Sequence, residues 1–216
     1  MPEKKLQVGF MKQVRTRKSE KVNKTIKALI IDLDGTLVDS TDSVIQMYNT
    51  VFADFGLEQP HENKVRALFG RTTREFINTL APELPDDRKK AMFNALRTAT
   101  IEVVPLIKKG ELCGHIPKFA EKYKLAVVTN RGENSTNIIL EKFDIRKYFD
   151  LVVSAVLHEP KPSPDMLFYV LKQFGISPEE AVFLGDRDVD AMAGARAGVR
   201  TLLVPLGKKA MDELLG

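Results

Sequence analysis

The 216-residue sequence has one cysteine, Cys113, no tryptophan and three histidines. A single cysteine excludes an internal disulfide and a cysteine-rich zinc site, and it fits a reducing compartment. His61, His115 and His158 show no pairing at metal-ligand spacing and read as structural or exposed. No apolar run approaches the ~20 residues a membrane span needs. The N-terminus carries no apolar signal-peptide core. A cytoplasmic chain with no membrane partner is therefore expected. What is present is a 44% hydrophobic content, ample for a core, beside 29% charged residues. The length suits one medium domain, or one domain carrying an insertion.

Charge is unevenly spread. Residues 1–24 hold eight basic side chains against Glu3 and Glu20, a net of +6, whereas the whole chain carries +4 and residues 25–216 therefore sum to −2. The basic character belongs to an N-terminal extension, read as a solvated arm. A nucleic-acid or anionic-surface role is the alternative for it. The arm has one aromatic, Phe10, and so lacks the stacking residues of a single-strand binder.

Short apolar runs recur along the rest: 28–31, 125–128, 151–156, 181–184 and 199–204. Continuous runs of this length read as strands covered on both faces. Helical patterns separate them at 134–143 and from Ser163-Pro164 to Phe174, with serine as N-cap, proline at the first helical position and Gly175 just past the end. Strands alternating with helices predict an α/β fold with a doubly wound parallel sheet and a Rossmann-like core. The long interval between Ile31 and Leu125 contains no convincing strand. It reads as helices at 41–55, 62–69, 73–80 and 86–103, with another near 115–123. A structureless loop of that length would be odd inside a domain. An inserted all-α cap is expected at 43–110, with the catalytic core at 25–42 and 111–216.

Ligands of such sheets bind outside the carboxyl ends of the strands, and the informative polar residues stand there. Asp32-Leu33-Asp34-Gly35-Thr36 follows the first strand, Thr129-Asn130-Arg131 the second, and Gly185-Asp186 the fourth, with Asp190 just beyond. Lys161 precedes the Ser163-Pro164 helix. Asp32, Asp34, Asp186 and Asp190 crowded into one cleft would repel. A hard divalent cation relieves this, and oxygen ligands that leave room for water and phosphate suit Mg²⁺. The metal in turn implies an anionic substrate. Thr129 and Lys161 supply a hydroxyl and a positive charge for phosphoryl oxygens. The parts compose a mechanism in which Asp32 is a carboxylate nucleophile for phosphorus and Asp34, two residues on, serves as general acid and then base.

Four segments, Asp32-Leu33-Asp34-Gly35-Thr36-Leu37-Val38-Asp39-Ser40, Val127-Val128-Thr129-Asn130, Lys161-Pro162-Ser163-Pro164-Asp165 and Gly185-Asp186 with Asp190, occur in the order of the four motifs of the haloacid dehalogenase superfamily. Over about residues 26–216 the chain resembles that superfamily, in particular its phosphoglycolate phosphatase-like branch with a helical cap. The resemblance implies a magnesium-dependent hydrolase of small phosphate monoesters, phosphoglycolate first, acting through an aspartyl-phosphate on Asp32. It implies magnesium held by the Asp32 side chain, the Asp34 carbonyl and Asp186, with Asp190 close by. Thr129, Asn130 and Lys161 would receive the phosphate, and Arg71 and Arg74 of the cap would contact substrate. Two departures stand out. Arg187 occupies a position where a small hydroxyl residue is common, and 105–110 lacks the usual Pro-Gly turn. Asp188 is read as solvent-facing and Cys113 as buried. A sugar-phosphate phosphomutase, or a regulatory protein using the basic arm, are the competing functions. A dehalogenase would leave Asp34 redundant, and nothing around Lys64 suggests the Schiff-base lysine of a phosphonate hydrolase. A monomer or a homodimer fits equally.

Overall fold

The computed structural model describes residues 25–216; the basic extension at 1–24, and the readings that concern it, lie outside them. Five strands form one parallel sheet: β1 (Ala28–Ile31), β4 (Lys124–Thr129), β5 (Leu151–Ser154), β6 (Ala181–Gly185) and β7 (Arg200–Leu203), in the order β5-β4-β1-β6-β7. Alternation along each strand sends side chains to opposite faces. Leu29, Ile31, Leu125, Val127, Val182 and Leu184 meet Ile116, Phe119, Ile139 and Leu140 on one side. Ala28, Ile30, Ala126, Val128 and Phe183 meet Met166, Leu167 and Val170 on the other. Each large side chain removed from water in this way contributes about 1.5–3 kcal/mol. Two buried faces are why these strands read as unbroken apolar runs.

The helices that clad the sheet are α5 (Ile116–Ala120), α6 (Glu133–Lys142), α7 (Asp165–Phe174), α8 (Asp188–Ala197) and α9 (Lys208–Leu215). α7 begins at Asp165, one residue later than expected, while Ser163 Oγ accepts the Asp165 N–H at 3.3 Å. It ends on Gly175 in the left-handed region, which closes the helix without a Cβ penalty. The apolar run from Leu151 leaves the sheet after Ser154, and Val156 and Leu157 are exposed. α5 is also shorter than the pattern at 115–123 suggested.

Between β1 and β4 lie α1 (Thr41–Asp54), α2 (Glu62–Arg66), α3 (Thr73–Leu80) and α4 (Asp86–Glu102). They enclose a hydrophobic cluster of their own, built on Tyr48, Phe52, Phe76, Met92 and Leu96. α2 stops short of the expected Phe69 because the chain turns into Gly70, whose φ is +86°. A capping box, in which Thr72 and Glu75 satisfy each other's amides, then starts α3. The expectation of no strand in this interval is corrected by two short ones. β2 (Val38–Asp39) and β3 (Lys108–Lys109) pair antiparallel where the chain enters and leaves the helical layer. Lys142 of α6 fastens the exit by donating to the carbonyls of Val104, Pro105 and Ile107 at 2.8, 3.0 and 2.7 Å. Among the described residues no helix is long and apolar enough to cross a membrane.

Candidate active site

The strand order reverses at β1, with β4 on one side and β6 on the other. That reversal opens a crevice beyond the carboxyl ends of the three strands. Asp32 leaves β1 with its amide bonded to Leu184 O at 2.8 Å. The chain then winds into a tight loop in which Leu37 and Val38 both donate to Leu33 O and Gly35 donates to Val38 O. Gly35 has φ +85°, and a Cβ there would overlap the carboxylate of Asp186. The turn is therefore restricted to glycine, and it presses the first acidic loop against the fourth.

Lys161 lies at the centre, 2% exposed. Its Nζ donates to Asp32 Oδ1 at 2.7 Å, Asp190 Oδ1 at 2.7 Å and Val128 O at 3.2 Å. Burial alone would lower the ammonium's pKa; the two carboxylates outweigh it and push it up to about 12. Asp32 shows the reverse balance. Burial pushes its carboxyl up to about 8 against the pull of Lys161, with Asp190 adding to the rise. Asp190 is fully buried and spends its other oxygen on the amides of Asp186 and Arg187 at 3.2 and 3.0 Å. That bond needs Gly185, where a Cβ would sit 2.5 Å from Asp190 Cβ.

Carboxylate oxygens of Asp32, Asp186 and Asp190 lie within 4.8 Å of one another. Asp186 Oδ1 is buried without a partner, while Oδ2 sits 2.7 Å from Arg187 Nε. Burial pushes Asp186 up to about 6, opposed by Arg187. An orphaned carboxylate oxygen beside two further acids is the donor set that a hard, oxygen-seeking dication fits.

Asp34 is held differently. Arg131, directly after the Thr129-Asn130 pair, forks onto it with Nε–Oδ2 2.8 Å and Nη2–Oδ1 2.9 Å. The Arg131 side chain is 8% exposed. Burial pushes the Asp34 carboxyl up, but the guanidinium and its two bonds more than reverse this and hold it below the usual carboxylate range. Thr129 is buried and accepts the Arg131 N–H at 3.1 Å. Asn130 does not point its amide into the crevice. It donates to Lys161 O and Gly70 O, both at 2.9 Å, and accepts the Lys161 N–H at 2.8 Å, so it fixes the lysine loop and the Gly70 turn together.

The helical layer meets the crevice at that same turn. Arg71 pairs with Asp188 at 2.8 Å, so Asp188 faces solvent but is not unpartnered. Arg187 lies 5.5 Å over the Phe69 ring. Arg74 is exposed on α3 and Lys64 on α2. The three histidines stand apart: His61 caps α2, His115 packs against Phe119, and His158 bonds Asp165. Cys113 is buried. Arg131 received no role from sequence, although its place at the end of β4 marked it as a crevice residue.

Residues 29–204 match the family model described as haloacid dehalogenase-like hydrolase. A phosphoglycolate phosphatase of Aquifex aeolicus is 31% identical over 84% of this chain and 86% of the relative. Pyrophosphatase PpaX of Bacillus velezensis is 29% identical over 83% of each. A crystal structure of a HAD-superfamily hydrolase, subfamily IA, variant 1, from Geobacter sulfurreducens superposes with a TM-score of 0.64 at 30% identity, covering 88% of this chain and 97% of that one. A match over most of the sheet and the whole acidic crevice settles the kinship: the chain belongs to the haloacid dehalogenase-like hydrolase family.

Proposed function

We propose that the protein is a magnesium-dependent phosphatase that hydrolyses small phosphate monoesters through an aspartyl-phosphate on Asp32, with phosphoglycolate as the leading substrate. The observation that carries this reading is the Asp32–Lys161–Asp190 chain of buried 2.7 Å contacts, with Asp34 two residues from Asp32 on the same loop. Asp32 is the nucleophile: its carboxylate oxygen bonds to phosphorus as the bond to the leaving oxygen breaks. Asp34 gives that oxygen a proton, then takes one from the water that attacks phosphorus and frees Asp32 and inorganic phosphate. Lys161 supplies positive charge from behind the nucleophile, the Thr129 hydroxyl lies at the end of β4 beside it, and Asn130 keeps the lysine loop in register. Asp32, Asp186 and the Asp34 carbonyl, with Asp190 behind them, would hold the magnesium, which supplies positive charge to offset the clustered carboxylates and the phosphate. The helices at 43–110 act as a cap that excludes water from the crevice. The relatives named as phosphatases support the reaction class.

The test is release of inorganic phosphate from a panel of monoesters, with and without MgCl2. Turnover that needs the cation, with phosphoglycolate among the best substrates, is expected. A panel with no turnover would overturn the reading.

The acid cluster also makes a prediction that needs no substrate. Raised carboxyl pKa values mean that Asp32 and Asp186 bind more protons in the metal-free folded chain than in the unfolded one, from the ordinary value of 3.8 up to about 8 and about 6 respectively. These groups therefore cost stability progressively as pH rises through that window. A bound dication favours the ionised forms and removes the cost. The rise in Tm on adding MgCl2 should be larger at pH 8 than at pH 5, as read by thermal unfolding. An equal or smaller rise at pH 8 would contradict the metal assignment.

A further inference from the structure

Four cations line the described crevice, and their partners differ. Lys161 is spent on Asp32, Asp190 and Val128 O, behind the nucleophile. Arg187 is beside Asp186 and against the Phe69 ring. Arg71 is on Asp188 at the rim. Arg131 alone is paired with Asp34, the residue that must reach the leaving oxygen if the proposed reaction is right. Whatever is attached to that oxygen therefore lies against Arg131.

The fork itself says what Arg131 accepts. Two parallel N–H donors fit the two oxygens of a carboxylate, and fit two oxygens of a phosphate equally well. At present they hold the Asp34 carboxylate. To hand a proton to a leaving oxygen, Asp34 must give up at least one of these bonds. Opening a buried pair with no replacement is strongly unfavourable, because it strands a charge. A substrate that brings its own anion supplies the replacement.

We infer that Arg131 is the specificity-determining residue of this site: it exchanges Asp34 for an anionic group on the leaving half of the substrate, a carboxylate or a second phosphate, and so selects esters that carry one. The inference rests on the phosphatase reading and deepens it. Neutral leaving groups must pull Asp34 away unaided. Anionic ones bind and release the acid in one event.

The experiment compares three substrates on the parent protein and two variants: phosphoglycolate, inorganic pyrophosphate, and 2-hydroxyethyl phosphate, which keeps the two-carbon skeleton but replaces the carboxylate by an alcohol. The parent should favour at least one anionic substrate over 2-hydroxyethyl phosphate by about 10²-fold in kcat/KM, the scale of hydrogen bonds made to a charged group. Which of the two anions is preferred separates a carboxylate from a phosphate partner. Arg131→Met should lose more on that substrate than on 2-hydroxyethyl phosphate, by about tenfold or more, with the loss in both KM and kcat. Arg131→Lys keeps the charge without the fork and should recover part of the preference. Equal handling of anionic and neutral esters by the parent would overturn the inference even if the methionine variant does not fold. So would equal losses on both in the variants. Failure of the parent to hydrolyse any of the three, or any monoester of the wider panel, would instead remove the phosphatase reading beneath it.

Discussion

Asp32→Asn is expected to lower kcat on any phosphate monoester by about 10⁴-fold or more, the scale seen when a nucleophile is removed from an otherwise intact site. The substitution keeps the shape of the side chain and its ability to accept from Lys161 Nζ, which sits 2.7 Å from Asp32 Oδ1. It removes the carboxylate that can bond to phosphorus. Folding should survive. In the metal-free protein at neutral pH, burial already pushes the Asp32 carboxyl up to about 8. Burial thus disfavours the charged form of this group, and a neutral amide escapes that cost while still accepting from Lys161. Tm without magnesium should stay within a few degrees of the parent, since ~1 kcal/mol corresponds to roughly 2–4 °C in a chain of this size. Phosphate release and thermal unfolding on the same preparation separate a chemical defect from a structural one. Turnover within tenfold of the parent would exclude Asp32 as nucleophile.

Lys161→Met should act on both stability and activity. The lysine is the shared counter-charge of two buried acids, Asp32 and Asp190. Methionine fills a similar volume but leaves both carboxylates without it. Removing one member of a buried ionic set costs about 3–5 kcal/mol, which corresponds to a fall in Tm of about 10 °C. The loss should shrink as pH falls, because the stranded acids can then take up protons. It should also shrink when Asp190→Asn is combined with Lys161→Met, a non-additivity that reports their contact. On activity the expected effect is about 10²–10³-fold, comparable to removing a donor that stabilises transition-state charge. A Tm shift under about 2 °C, unchanged between pH 5 and pH 8, would show that the lysine is not the counter-charge its geometry implies.

Much of this was legible before any coordinates. The central strands of the parallel sheet announce themselves because both faces are buried, so Ala28–Ile31 and Ala181–Gly185 contain almost nothing but apolar residues. The strand-end rule then gathers Asp32, Asp34, Thr129, Lys161 and Asp186 from distant parts of the chain. The unread features share a cause: their meaning lies in a partner far along the sequence. β2 and β3 are two residues each and exist only through their pairing. Arg131 looks like any loop arginine until the topology sets it on Asp34. Val156 and Leu157 are as apolar as a strand but have no neighbouring strand to join. Asn130 matched its motif, yet what its amide holds is backbone at Lys161 and Gly70.

The β2–β3 pair has a bearing on how such a molecule can change over time. Paired strands run about 4.8 Å apart, so the chain leaves for the helical layer and comes back through what is nearly a single doorway, held shut by Lys142 and by Gly110 donating to Leu37 O at 2.9 Å. Everything between the two crossings can lengthen, shorten or drift in sequence while the distance across the doorway stays fixed. The loop bearing Asp32 and Asp34 lies on the near side and does not register such changes. The length and sequence of the helical layer are thereby uncoupled from the path of the acidic loop, and a helical layer borrowed from a relative could be spliced in between Asp39 and Lys108 with the acids left where they are.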